Sequence, residues 1–591
     1  MRTSKAKENY NSMNKINFID QTIRLAQQGL WGFMMRTDHI EPIAEVMDQV
    51  GYKEIGTVGA NGFVVQVRNL NEDPWERVRY LSRVMTKTPL RGSYHIWGLA
   101  DFEQTTPRDI IALWIKRSIA NGIKGFWICD YQTDMEKFVY FARIAKAEGA
   151  RVVVSLVYAS SPVHTNEHWA RKARLIAQAK DCVDAIQIGD PGGVLTSENT
   201  REFITTVQRN CDGIPLEFQA QCNSGLAPLT YLEAIKAGVT TVHTAVAPLA
   251  NGTSMPSTES ILKNAKRLGF TSDLDEDALA AQSAHFRKIA EQEGLPIGVP
   301  MEYDLYYFEH QVPGGMMTNL TRQLREVRME HRLDEVLDEV VRVRKDFGYP
   351  VMATPYSQIV GSQAVFNVVS GERYKQITDA TISYVLGYYG EPAGPVDQDL
   401  KDKVMSFPRT KAFINWQPDS YLKSVEEVRK EVGPDLSDDE LLLRVLIPGR
   451  SINSGEPKKK AGAPLAKPAT SGNSFIDFPM KFSVDVDGEI FNVKILPATD
   501  GTLEADRSED EKTKKKPKEA PRGAVLSGVA GLILSFEVKV GDRVNAGDQV
   551  ATIEAMKMRM YISCPHDGVV KEICAQEGEI VEAGVLLMVV E

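Results

Sequence analysis

Gly125–Tyr158 reads GFWICDYQTDMEKFVYFARIAKAEGARVVVSLVY. Two short apolar runs, Gly125–Asp130 and Arg151–Tyr158, enclose a stretch of helical period, Asp134–Glu148. The same alternation extends in both directions. β-like runs fall at Phe18–Thr22, Glu54–Val58, Leu90–Ile96, Asp184–Gly189, Leu216–Gln221 and Thr241–Val246, with helical segments such as Pro107–Asn121 between them. Eight strands, each followed by a helix, within residues 15–275 predict an α/β chain built on a (β/α)8 TIM barrel. A doubly wound sheet is the alternative, but no GxGxxG follows the first strand, so dinucleotide binding gains no support.

Beyond the barrel, residues 276–450 turn mostly helical, with Arg332–Asp346 clearly amphipathic, and are read as a helical annex. Residues 451–475, rich in Pro, Ala, Gly, Ser and Lys, read as a flexible linker. A small element at 476–500 contains a hairpin, Lys481–Pro497, with its turn at Asp487-Gly488. A second linker, 501–521, carries the charge run EDEKTKKKPKEAP, and residues 522–591 form a compact all-β unit. The 591-residue chain has 43% hydrophobic and 25% charged residues, as soluble proteins do. A net charge of −10 argues against a phosphate-backbone binder, so no nucleic-acid partner is expected. Apolar runs such as Arg151–Ala159 are too short to span a bilayer, and the first residues hold no apolar signal core. Six cysteines without a CxxC fit a reducing compartment, so the expected location is cytoplasmic.

The strongest local signal is Glu554-Ala555-Met556-Lys557-Met558. It lies in the all-β unit, where Lys539–Val550 (KVGDRVNAGDQV) and Gln576–Leu587 (QEGEIVEAGVLL) repeat each other like two halves of one flattened barrel. This tail resembles a biotinyl carrier domain. The resemblance implies biotin bound covalently to Lys557, with Met556 and Met558 flanking it, after modification by a biotin-protein ligase.

The body carries longer signatures: Leu70–Arg77 (LNEDPWER), Ser161–Thr165 (SPVHT), Gly252–Ser260 (GTSMPSTES), His310–Asn319 (HQVPGGMMTN), Thr354–Ala364 (TPYSQIVGSQA) and Gly371–Lys375 (GERYK). Together they resemble the biotin-dependent carboxyltransferases: the carboxyltransferase domain of pyruvate carboxylase, transcarboxylase and the oxaloacetate decarboxylase alpha subunit. The resemblance covers about residues 15–450 and implies a barrel with a helical funnel. In that family biotin reaches the barrel's C-terminal mouth, where CO2 is released or passed to an enolate. The chemistry needs a proton shuttle, cations for the acceptor's carboxylate and charge stabilisation for the enolate.

The family supplies the last with a divalent metal held by an Asp, a carbamylated Lys and an H-x-H pair. Here Leu25 stands for the Asp, Gly189 for the lysine, and Gln219 and Gln221 for the histidines. Neutral amides and apolar side chains are poor ligands for a catalytic metal, so no divalent metal is expected. His243, where the family has an Asp, is expected to serve in packing or hydrogen bonding. What persists is Arg24 and Gln28 for substrate and biotin, Arg91 on the third strand, and Thr253 as proton shuttle, all expected at strand C-termini. The competing structural roles are an arginine that only bridges carbonyls and a threonine that caps a helix.

Two functions compete. One is a metal-independent carboxyltransferase or decarboxylase acting on a small carboxylic or acyl-CoA substrate, which need not be pyruvate or oxaloacetate. The other is a catalytically silent scaffold and biotin carrier in a multisubunit complex. A metal-dependent aldolase of this barrel superfamily needs the missing H-x-H. Nothing resembles an ATP-grasp biotin carboxylase, so a separate biotin carboxylase subunit or a membrane decarboxylase subunit is implied, the latter placing the chain at a membrane's edge. Homo-oligomerisation through the barrel is carried over from the family.

Overall fold

The structure is a computed structural model describing residues 14–99, 106–131, 133–326, 329–414, 423–447, 480–486, 489–495, 523–527, 531–555, 558–582 and 584–591. Strands β1 (Asn17–Asp20), β2 (Glu54–Gly59), β3 (Leu90–His95), β4 (Gly125–Cys129), β5 (Arg151–Val157), β6 (Ala185–Asp190), β7 (Leu216–Ala220) and β8 (Thr241–Thr244) form a closed parallel barrel. β1 closes it by pairing with both β2 and β8. The expected strands are all present, with ends that differ slightly. β1 stops at Asp20 because its carboxylate accepts the Thr22 N–H at 2.9 Å and turns the chain into a π-helical turn, Thr22–Ala26.

Each strand is sandwiched between the barrel interior and the outer helices, which is why β4 (GFWIC) is buried at every position. The helix Met135–Ala147 buries Phe138, Phe141, Ala142 and Ala145 on one stripe, and Asp134 caps its start by accepting the Lys137 N–H at 3.1 Å.

The lower part of the barrel interior is ionic. Arg91, the second residue of β3, is 2% exposed and donates to Glu217 at 2.6 and 3.1 Å while pairing also with Glu54. Arg151 at the start of β5 bridges the same carboxylates, at 3.1 Å to Glu54 and 2.8 Å to Glu217.

The helices after the barrel divide between two cores, so the stretch expected as one annex is not a single unit. Residues Val312–Val404 build a second core that reaches the barrel at Val157 and Ala159. The helices Glu276–Glu293, Val425–Val432 and Asp438–Leu446 instead return to the barrel core, through Phe286, Val428 and Leu441. Asp439 anchors the last of them, accepting from Arg117 at 2.7 Å and Arg79 at 3.0 Å.

β9 (Met480–Val486) and β10 (Glu489–Ile495) form the expected antiparallel hairpin; its turn, Asp487-Gly488, and both linkers lie outside the described residues. The tail is two four-stranded sheets. One contains β11 (Ala524–Leu526), β13 (Arg543–Val544), β16 (Gly568–Ile573) and β18 (Leu586–Val590); the other β12 (Gly531–Phe536), β14 (Gln549–Ala555), β15 (Met558–Ser563) and β17 (Ile580–Val581). The internal repeat is explicit in the backbone: Gly541 and Gly547 match Gly578 and Gly584, and all four have φ between 84° and 98°, which favours glycine. Among the described residues no helix is long and apolar enough to cross a membrane.

Removing Arg91 strands two buried carboxylates on one remaining arginine. Arg91→Met is therefore expected to lower stability by about 3–5 kcal/mol, as breaking a buried ion pair does. Lys180→Ala, which breaks an exposed pair with Asp212, should change it by less than ~1 kcal/mol. Urea unfolding followed by tryptophan fluorescence checks both.

Candidate active site at the barrel mouth

The π-helical turn after β1 presents Arg24, which is 7% exposed. π-helical turns recur at functional sites because the extra residue re-aims a side chain. The Arg24 guanidinium donates to Gln28 Oε1 at 2.7 Å and to Ser93 Oγ at 3.1 and 3.3 Å. Among the described residues no carboxylate pairs with it. Burial pulls its pKa down to about 10, so the group remains cationic near neutrality. Gly59, ending β2, makes the space: a Cβ there would lie 2.7 Å from Arg24 Nη2.

Thr253 follows β8. Its hydroxyl donates to the Gly29 carbonyl at 2.9 Å. Gly29 belongs to the short helix Gln27–Trp31 that also supplies Gln28 to Arg24, so one element positions both residues. Cβ atoms at Gly29 or Gly314 would lie 2.5–2.7 Å from Thr253, so two glycines admit it to this place. It caps no helix: Ser257 is the N-cap of the helix Thr258–Arg267.

Arg91 departs from the expectation. It lies near the N-terminal end of β3 rather than at a C-terminus, and its guanidinium is committed to Glu217 and Glu54. Its inward neighbours Ser93 and His95 occupy the upper positions of the same strand, and Ser93 is the one that meets Arg24. His95 packs edge-on against Tyr131, ring centroids 5.7 Å apart. Burial, then the Arg24 charge, lowers the His95 pKa to about 3, and burial raises the Cys129 thiol to about 11, so both are neutral beside the guanidinium. Sequence reasoning passed over Ser93, His95, Cys129 and Tyr131. The alternation of inward positions starting from Arg91 was the signal that reaches Ser93 and His95.

His243 is fully buried and hydrogen-bonded on both sides: Nε2 lies 3.0 Å from Glu217 Oε2, and Nδ1 lies 3.0 Å from the Gln21 amide nitrogen. An ionised carboxylate only accepts, so Nε2 carries a proton. With burial lowering the ring's pKa, Nδ1 accepts from Gln21. The Gln21 amide in turn lies over Gly56, whose Cβ would fall 2.4 Å from Oε1.

The residues at the family's metal position do not fit a divalent cation. Leu25 and Gly189 offer no side-chain donor. Gln219 Oε1 accepts from Gln187 at 3.4 Å, and Gln221 Oε1 accepts from Asn223 at 3.5 Å. Among the described residues no group of three or more His, Cys, Asp or Glu side chains could hold a metal. β14 and β15 close with Ala555 opposite Met558; Met556 and Lys557 lie outside the described residues, as does the side chain of Met558.

A closed (β/α)8 barrel with a polar mouth is followed in the same chain by a β domain of two four-stranded sheets. The chain matches the "Conserved carboxylase domain" model over residues 308–494 and the "Biotin-requiring enzyme" model over 522–590. It is 36% identical over 548 residues to a pyruvate carboxylase subunit of Methanocaldococcus jannaschii, covering 92% of this chain and 94% of that protein. It is 30% identical to the 2-oxoglutarate carboxylase large subunit of Hydrogenobacter thermophilus, covering 93% and 90%. The carboxyl transferase domain of Rhizobium etli pyruvate carboxylase, solved with oxamate and biotin, shares the fold, with a TM-score of 0.67 at 22% identity over 74% of this chain and 76% of that one. The chain belongs to the biotin-dependent carboxyltransferases, enzymes that transfer a carboxyl group by way of biotin.

Buried neutral histidines make the fold sensitive to acid. His164, in the loop after β5, is stacked on Trp169, and burial lowers its pKa to about 2. Unfolded, it titrates near 6.5, so below that pH the unfolded chain binds a proton the folded chain refuses, and stability falls with pH. This single group should remove about 2 kcal/mol between pH 7.5 and 5. Urea unfolding of His164→Asn should show a pH dependence flatter by that amount.

Proposed function

We propose that this chain is the carboxyltransferase and carrier subunit of a biotin-dependent carboxylase, and that it moves CO2 between biotin on Lys557 and a small 2-oxo acid without a divalent metal in the barrel. The observation carrying this reading is Arg24: a buried guanidinium at the mouth, held by neutral partners, with no carboxylate of the described chain to neutralise it. A buried cation left this way is a receptor for an anion. Arg24 binds the acceptor's carboxylate, and Gln28 and Ser93 fix the guanidinium's orientation. As carbanion character develops on the acceptor, the charge spreads toward the same guanidinium, which stabilises it in a water-poor site. Biotin supplies a carboxyl group at a ureido nitrogen. The Thr253 hydroxyl, whose proton lies toward Gly29, passes that proton to the nitrogen as the N–carboxyl bond breaks, and its oxygen takes up the proton lost from the acceptor's carbon.

The relatives named above are subunits of a pyruvate carboxylase and a 2-oxoglutarate carboxylase, which supports both a 2-oxo acid acceptor and a separate biotin carboxylase partner. A biotin-protein ligase modifies Lys557. Oligomerisation through the barrel belongs to the same reading, and so does a cytoplasmic location.

Single-turnover release of label tests the proposal, from protein charged by a biotin carboxylase with ATP and 14C-bicarbonate and then exhaustively chelated, run with pyruvate, 2-oxoglutarate and an acyl-CoA. Acceptor-dependent release should survive chelation, with elemental analysis finding no stoichiometric divalent metal. Thr253→Ala should slow release by roughly 10²-fold or more, as loss of a general acid–base group does, and Arg24→Gln by roughly 10²–10³-fold. Lys557→Arg should take up no label. Release that stops on chelation, or that Arg24→Gln leaves unchanged, overturns the reading.

A further inference from the structure

The turn Pro408–Thr410 of the annex holds an arginine whose partners come from two domains. Arg409 forks onto Asp379 of the annex, at 2.9 Å to Oδ1 and 2.8 Å to Oδ2. Its remaining guanidinium nitrogen donates to Gln549 Oε1, at the start of β14 in the tail, at 2.8 Å. The guanidinium carbon lies 3.6 Å from the centroid of the Tyr561 ring on β15, and 5.6 Å from the Phe413 ring of the annex. A Cβ at Gly547 of the tail would come within 4.0 Å of Pro408.

We infer that Arg409 is the docking anchor that holds the carrier domain, residues 523–591, on the annex of its own chain. Three features carry the inference. The planar fork is used on all sides at once: a bidentate carboxylate, a neutral amide and an aromatic face, which a lysine could not satisfy together. Asp379 comes from the annex, so the arginine is oriented before the carrier arrives. Among the described residues, the carrier groups that meet Arg409 by hydrogen bond and ring contact are neutral, Gln549 and Tyr561, so this contact desolvates no second charge. A cation–π contact of this kind is worth roughly 0.5–2 kcal/mol, which suits a contact made and broken in each cycle. The grip also falls at the right place on the carrier. Tyr561 pairs with Thr552, and the hairpin ends at Ala555 and Met558, so three residues, about 10 Å of strand, separate the anchor from the hairpin end. The domain is held by the base of the hairpin.

Transverse relaxation of amide signals from the carrier domain tests this in the full-length protein and needs no activity. Docked, the carrier relaxes with the large body; released, it tumbles on its own. In Arg409→Ala and Tyr561→Leu the carrier signals should sharpen, with relaxation rates falling ~2–5-fold. Arg409→Lys should fall between, since it keeps the charge and loses the fork. Tyr561→Leu leaves the Asp379–Arg409 pair intact, so sharpening there cannot come from an unfolded annex. Equal rates in wild type and both variants would overturn the inference. Release on dilution of the wild-type protein would place the carrier on a second copy and overturn the same-chain assignment.

Discussion

Three buried charges in the lower barrel, with a fourth that is part-buried, set the terms for the rest of the structure. Glu54, Arg91, Arg151 and Glu217 come from four different strands and sum to zero. Any one of them alone would be expensive to bury; as a closed set they satisfy each other. Arg91 gives its guanidinium to this set, so it is withdrawn from the mouth. Glu217 reaches further up and accepts from His243, which receives a hydrogen bond from Gln21. A chain of contacts thus runs from the barrel floor to the first turn after β1, the turn that carries Arg24.

The mouth has the complementary character. Arg24 lacks an anionic partner among the described residues, and the side-chain oxygens Gln21 Oε1, Gln187 Oε1 and Asn223 Oδ1 are buried without a hydrogen-bond partner. Buried polar atoms left this way in a working protein are completed by water or by a ligand. Where the family places metal ligands, amides pair with one another, and a Cβ at Gly189 would lie 3.4 Å from the Gln187 amide oxygen. The region is filled by neutral polar groups. In the proposed metal-free barrel two anionic ligands and a dication are absent together, which leaves no uncompensated charge in a buried place.

The alternation of apolar runs and helical stretches made the eight strands legible, because strand and helix periods differ sharply and each barrel strand is buried on both faces. Their ends were less legible: Thr22 continues an apolar run, and only the Asp20 side chain, turning back on the Thr22 N–H, ends β1 before it. Thr253, Arg24 and Gln28 were singled out in the sequence, and the structure attaches all three to the turn and helix after β1. Arg91 was misplaced because the second residue of a strand cannot be assigned to floor or mouth without its partners. Those partners, Glu54 and Glu217, lie 37 and 126 residues away in the chain. The division of the annex was hidden for a similar reason. An amphipathic helix states that one face is buried, and only packing states against what; Leu441 and Val428 found the barrel instead of the neighbouring helices.

The carrier domain resolves a conflict between rigidity and mobility. In the proposed reaction its cargo is delivered to the barrel mouth and also taken away, so the domain has to hold its own shape while binding the body weakly. Shape comes from within: a small core that includes Ile533, Val550, Ile553 and Leu587 is closed by two equivalent turns, each requiring glycine at two left-handed positions. Binding to the body can then be assigned to a few side chains on β14 and β15 without altering the sheets that carry them. A large apolar interface would fix the carrier in one place, whereas an arginine meeting an amide and an aromatic ring gives orientation with little area. The charge for that contact resides on the annex, already paired with Asp379, so the carrier's departure leaves behind a satisfied ion pair rather than a bare cation.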